Sequence, residues 1–200
     1  MARGSAKASS FQFLLLPIAL GLLLPSLIMP WVTLDLFGTY NLSPIDLLSS
    51  SSDRGEAGIS PDLIREYPEI IFHDLVRSYK VTTSYIISMA TFLAAIVGTI
   101  VSISMKNQRR MLVAVIAGAL AITSAIAWLQ MIDSIKNNFA QQAALTGGLI
   151  GEEFKGNERS LADRILKVGI GPYVIIPAGG AGIIYYFIQR RLNAIHPIAD

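Results

Sequence analysis

Hydrophobic and polar positions along this 200-residue chain do not alternate; they separate into long blocks. No charged side chain occurs in residues 11–31, 81–105, 111–132 or 168–189. Each block approaches or exceeds the ~20 residues an α-helix needs to cross the hydrocarbon core of a bilayer. Backbone amides find no water there, so a helix, which bonds its own backbone, is the workable form. The pattern predicts an all-α membrane protein. It is a four-transmembrane-helix bundle forming one membrane domain over residues 1–200. Outer loops 32–80 and 133–167 build an extracytoplasmic cap of short helices with a small strand region.

The first block follows Arg3 and Lys7, as a signal peptide would. Its apolar run is longer than a signal core and leads into no small-x-small cleavage site. It leads instead to Pro30 and Trp31, and an indole suits the membrane–water interface. The expectation is a retained span with Trp31 as anchor. Tyr185 and Tyr186 are the corresponding anchors near the other end of the fourth span.

Charge then orients the spans. Arg3 and Lys7 precede the first; Lys106, Arg109 and Arg110 fill the short link between the second and third; Arg190 and Arg191 follow the fourth. Loop 32–80 carries eight acids against four bases. The excess of Lys and Arg on cytoplasmic segments places both termini and the short link in the cytoplasm, in a multi-pass protein of the cell membrane. Composition agrees: 52% of residues are hydrophobic and 15% charged, where soluble domains carry roughly 25% charged residues. The net charge of +2 suggests no nucleic-acid partner, and a chain without cysteine has no disulfide, thiolate metal site or cysteine nucleophile.

None of the four spans contains Asp, Glu, Lys, Arg or His, the residues that usually mark proton relays and ion paths. Small residues form two stripes: Ala90, Ala94 and Gly98 in the second span, and Ala114, Gly118, Ala121 and Ala125 in the third. Such stripes let backbones approach closely, and the short link makes these spans antiparallel neighbours. The expectation is that the two stripes face each other; a homo-oligomer contact is the other use. In the fourth span Pro172 fits a first helical turn, whereas Pro177 is internal and Gly179, Gly180 and Gly182 follow it. Gly169 and Gly171 lack the preceding strand signal of a nucleotide loop.

In the outer loops, Val32, Leu34 and Leu36 alternate with Thr33, Asp35 and Phe37, a strand signal ending at Gly38. Ser43–Pro44 reads as a helix cap followed by Pro at the first helical position, and Ser60–Pro61 repeats it. A further helix continues over residues 69–79, and another over 158–167, with Asp163 and Lys167 spaced for an i,i+4 pair. Asn41-Leu42-Ser43 is a glycosylation sequon, although Asn41 also suits a turn. Glu69 and His73 share a helical face, but a metal needs more ligands than these. With no catalytic constellation, no metal site and no cofactor motif, the reading is non-enzymatic.

The Pro30-Trp31-Val32 exit from the first span, an outer loop of roughly fifty residues, the short basic inner turn and the smaller second loop resemble the claudin and peripheral-myelin-protein-like four-pass proteins. The resemblance implies a small sheet in the first loop and an outer face that makes adhesive or partner contacts. The family's Gly-Leu-Trp motif and paired cysteines are absent, so Trp31 alone maps onto it. The functional expectation is an accessory subunit or contact protein acting through its outer cap. Glu66, Glu69, Phe72 and Tyr79 are the candidate contacts, toward a membrane protein or a second copy. The alternative is a small-solute or lipid transporter or channel using the Pro/Gly-broken first and fourth spans.

Overall fold

The computed structural model describes residues 14–36, 38–49, 67–105, 107–145 and 158–195. Helix α1 covers Leu14–Leu27 and ends in a 3-10 turn at Pro25–Leu27. Strands β1 (Val32–Asp35) and β2 (Thr39–Leu42) follow, then helices α2 (Pro44–Ser49) and α3 (Pro68–Ser78). Helices α4 (Thr82–Ser104) and α5 (Asn107–Leu145) precede α6 (Glu158–Ile165), β3 (Leu166–Val168) and α7 (Gly171–Ile195). The helix expected to begin at Ser60–Pro61 lies mostly outside the described residues.

Among the described residues three helices are long and apolar enough to cross a membrane: α4, the stretch Gln108–Gln142 of α5, and Gly171–Leu192 of α7. The first expected span, residues 11–31, is described only from Leu14 and is not helical to its end. Among the described residues α1 covers about 20 Å at 1.5 Å per residue, and at its far end the chain tightens at Pro25 and leaves the helix before Trp31. Two other boundaries differ from the sequence reading. The helix of the second loop stops at Ile165, and residues 166–168 pair as a strand, so α7 starts at Gly171 instead of residue 168. Pro172 therefore sits in the first turn, as its missing N–H favours. Pro68 opens α3 in the same way.

The chain divides into two compact units. The helical unit comprises Met1–Ser26, Ser88–Ile126 and Tyr173–Asp200. On α4 its buried positions include Ser88, Phe92, Ala95, Thr99 and Ser102, spaced 4, 3, 4 and 3. On α5 they include Ala114, Ala117, Ala121 and Ser124, at similar spacing. This is the heptad rhythm of helices packed side by side. A cluster of Leu15, Leu16, Ala19, Met111, Ala114, Ala181 and Tyr185, with Ile103 and Ile188 against it, gathers the start of α1, the end of α4, the start of α5 and the end of α7. The Arg110 guanidinium ties that end together: its Nε donates to the Met105 carbonyl at 2.7 Å and its amino group to Ile103 at 3.1 Å, serving carbonyls at the terminus of α4.

The loop-built unit comprises Leu27–Ile87 and Ala127–Pro172. Its sheet is antiparallel with order β2-β1-β3, Leu34 standing opposite Tyr40 on one side and Leu166 on the other. Val32, Leu34, Leu42 and Leu166 point inward, whereas Thr33, Asn41 and Lys167 form a polar row outside. The β1 strand matches its alternation; β2 was hidden because Thr39–Leu42 has no such pattern. Ser43 and Asp46 cap α2 reciprocally, the Ser43 hydroxyl donating to the Asp46 carboxylate at 2.6 Å. Helix α3 ends with Lys80 in the left-handed region (φ 56°), the Val81 amide reaching the Val76 carbonyl at 3.1 Å.

Candidate contact surface of the loop-built unit

This surface rests on an aromatic core. Trp31, Phe72 and Trp128 are all 0% exposed. Phe72 stacks on Trp128 at 5.6 Å between ring centroids, and Trp31 meets Trp128 edge-on at 5.0 Å. The Trp128 indole N–H donates to the Trp31 carbonyl at 3.0 Å, which the Gly169 amide also reaches at 3.0 Å. Neighbouring Pro30 accepts from the Gly171 amide at 2.9 Å. A Cβ on Gly169 would collide with the Pro30 carbonyl, and one on Gly171 with the Trp31 ring. The two glycines of that segment thus serve a close backbone approach. His73 Nε2 and the Tyr85 hydroxyl both donate to the Leu47 carbonyl, at 3.1 and 3.3 Å, fastening α2 to α3 and α4.

Helix α3 has two apolar faces. Phe72 and Val76 enter the core, whereas Ile71 and Leu75, also four apart, line an open cleft. The cleft measures about 70 Å³, and Leu36, Phe139 and Ile165 are among its walls. By that measure a water molecule needs ~10–15 Å³, so the tip of a branched aliphatic side chain fits. Lys136 stands at its edge and bonds the Asp163 carboxylate at 2.7 Å. Arg159 pairs with Asp133 at 3.0 Å, and Lys167 with Asp35 across the sheet at 3.3 Å. The expected Asp163–Lys167 pair does not form, because Lys167 is in a strand and has left the helix face.

The residues expected as contacts fare unevenly. Phe72 is core, not surface, because its ring completes the Trp128 stack. Glu69 and Tyr79 are half-buried on α3 and just after it, and burial raises the Tyr79 hydroxyl pKa above its ordinary value. Glu66 lies outside the described residues, as does Lys106. Asn41 is exposed in β2, not in a turn, and its side-chain oxygen accepts from Thr33 at 2.8 Å. Among the described residues no metal-binding group of three or more His, Asp or Glu occurs.

The expected anchors move inward too. Trp31 is buried under Trp128, and Tyr185 is 2% exposed within the helical unit's cluster; Tyr186 is half-buried. Arg109, Arg190 and Arg191 are exposed and Arg110 is half-buried.

The helical stripes pair differently from the expectation. Ala90 and Ala94 are exposed, one position away from the buried face of α4. Gly98 meets Ala117, an added Cβ coming within 3.0 Å of the alanine methyl. Gly118 faces α7: a Cβ there would stand 2.5 Å from the Gly179 carbonyl, and one on Gly182 would stand 2.8 Å from that of Ala114. Ala114 and Ala121 are buried, Ala121 beside Gly179.

Compared with protein-family models, with curated proteins and with solved structures, the chain matches none.

Proposed function

We propose that the chain is a four-pass membrane protein, both termini cytoplasmic, whose loop-built unit is a contact module for another membrane protein. The observation that carries this reading is the open apolar cleft of about 70 Å³ between Ile71, Leu75, Phe139 and Ile165, with the Lys136–Asp163 pair at its edge. An apolar pocket with a polar rim suits an anchor side chain from a partner, since most binding energy concentrates in a few such insertions. The contact residues are then the cleft walls, with Glu69 on the same helix. In this reading α1 belongs to the first span, and the chain follows the claudin-like plan. The hairpin β1–β2 directly after Trp31 supports that likeness. The transporter alternative is less favoured, because Gly179 and Gly182 are taken up in contacts with α5.

Extraction in mild detergent followed by quantitative mass spectrometry tests the proposal. A stoichiometric membrane partner should accompany the native chain. It should be lost from Leu75→Lys and from Ile165→Ser, while the melting temperature of each variant stays close to that of the native chain. Retention of the partner by both folded variants overturns the proposal. So does a pure oligomer that carries solute flux in liposomes and loses it with Pro177→Ala.

A further inference from the structure

The helical unit carries an outward face that the contact reading leaves unused. On α7, Tyr173, Ile176, Ile184 and Phe187 are 52%, 38%, 52% and 60% exposed. They recur with Gly180 at spacings of three and four, so they form one stripe along the helix. Gly180 has open space where a side chain would stand, leaving a notch midway. The stripe ends at Arg191, four residues after Phe187, with Arg190 beside it; both are exposed. Here a hollow of about 570 Å³ opens, lined among the described residues by Phe187, Ile188, Arg190, Arg191 and Ala194.

Among the described residues that line this hollow, the charge has one sign. The cluster joining Met111 to Tyr185 brings the start of α5 to the same end of the unit, and with it exposed Arg109. No acid occurs in residues 81–132 or 168–199 of the sequence. The two arginines of α7 therefore offer a forked set of donors with no carboxylate on their own helix to occupy them. Guanidinium geometry matches phosphate oxygens in pairs. Next to them the helix surface turns apolar and stays so for eleven residues back to Ile176, about 16 Å at 1.5 Å per residue. That is the scale of an acyl chain.

We propose that this face binds one anionic phospholipid, its phosphate on Arg190 and Arg191 and an acyl chain lying along Phe187, Ile184 and Ile176 across the Gly180 notch. The proposal rests on the reading of α7 as a membrane span, but not on the contact role of the loop-built unit. A free phosphate would use the arginines and ignore the stripe; a lipid uses both. The cations alone are accounted for by orientation of the protein. The hollow and the notched apolar stripe leading to them are what single out a lipid.

The test uses the full chain in neutral detergent, with phosphatidylglycerol, phosphatidylcholine or inorganic phosphate added, and native mass spectrometry counting retained molecules. One phosphatidylglycerol should be retained in preference to phosphatidylcholine, and millimolar phosphate should not displace it. Arg190→Gln and Arg191→Gln should each weaken retention about fivefold, the effect of one cation at an anionic surface. Gly180→Leu, which fills the notch without touching charge, should weaken it as well, whereas Arg159→Gln in the loop-built unit should not. Retention unchanged in the Arg190/Arg191 double variant overturns the proposal, as does equal retention of the two lipids. Displacement by phosphate together with indifference to Gly180→Leu assigns the site to a free anion and also overturns it. If the chain does not insert into bilayers at all, the span reading fails first, and reconstitution by flotation reports that separately.

Discussion

At the tightest contacts of the helical unit the side chains are hydrogens and methyls: Gly118 against Gly179, Gly182 against Ala114, Gly98 against Ala117. In the loop-built unit they are indole and phenyl rings, Trp31, Phe72 and Trp128, locked by backbone hydrogen bonds around Pro30 and Trp31. The difference follows from what each unit must bury. Helices already satisfy their own amides, so they gain most by bringing backbones close and multiplying van der Waals contacts. Short loops and three small strands leave amides to be satisfied and space between them to be filled, which large rings and cross-strand bonds do. Both units need glycine, for different neighbours. Gly118 yields to another helix backbone, Gly171 to an indole.

The contrast breaks most sharply at Trp128. Its ring touches both Trp31 and Phe72, and its N–H donates to the Trp31 carbonyl, as the Gly169 amide does. Trp128→Ala should cost about 3–5 kcal/mol, the range for a large buried aromatic. Thermal unfolding followed through tryptophan fluorescence would report it. A cost under about 1 kcal/mol would mean that the rings do not hold the loop-built unit together, and the comparison would lose its second half.

A smaller effect sharpens the first half. Gly118→Leu pushes a side chain into the Gly179 carbonyl and Ile183, and overpacking of this kind costs about 1–3 kcal/mol. Ala94→Leu places the same side chain on an exposed face of α4 and should stay within about 0.5 kcal/mol. The sequence puts both residues in small-residue stripes and gives no reason to separate them. Equal losses of detergent thermostability would return Ala94 to a buried interface and contradict the packing described above.

That pair also marks how far the sequence could be read. The three long helices follow from charge-free length alone, a signal that does not depend on neighbours. The strand at residues 32–35 follows from alternation, and α2 from the Ser43–Pro44 cap. Four-residue spacing of small residues picks out Ala90 and Ala94, whereas burial on α4 follows a 4, 3, 4, 3 rhythm through Ser88, Phe92, Ala95, Thr99 and Ser102. That rhythm runs through Ser88, Thr99 and Ser102, whose hydroxyls hide it from a pattern of apolar residues. Strand β3 carries no local signal over Leu166–Val168; pairing with β1, some 130 residues earlier in the chain, defines it. Aromatic and charged character marks out the candidate contacts but does not distinguish Phe72, which completes a core, from Ile71, which lines a cleft. Both lie on one short helix, and only the position of Trp128 separates them.

The smallest expected effect concerns those hydroxyls. Ser88 and Ser124 are both 0% exposed and bond reciprocally between α4 and α5. Ser88 Oγ donates to the Ser124 carbonyl at 2.9 Å, and Ser124 Oγ donates to the Ser88 carbonyl at 2.8 Å. Each accepting carbonyl belongs to a helix interior, where a backbone amide four residues on can also bond it. Losing one hydroxyl therefore removes a bond without orphaning its acceptor, and this keeps the cost below that of an unsatisfied buried group. Interhelical bonds of this kind in membrane helices average about 0.6 kcal/mol, with a maximum near 1.7. A double-mutant cycle with Ser88→Ala and Ser124→Ala should accordingly give a coupling of about 0.5–1.5 kcal/mol in detergent thermostability. The cycle is needed because alanine also fits the close approach, so single variants mix a lost bond with retained packing. A coupling near zero would mean that contact of small surfaces alone joins α4 to α5 and that the reciprocal bonds add no stability. A coupling well above 2 kcal/mol would mean that the hydroxyls, and not the small residues, set this helix pair apart from the ring-filled core of the loop-built unit.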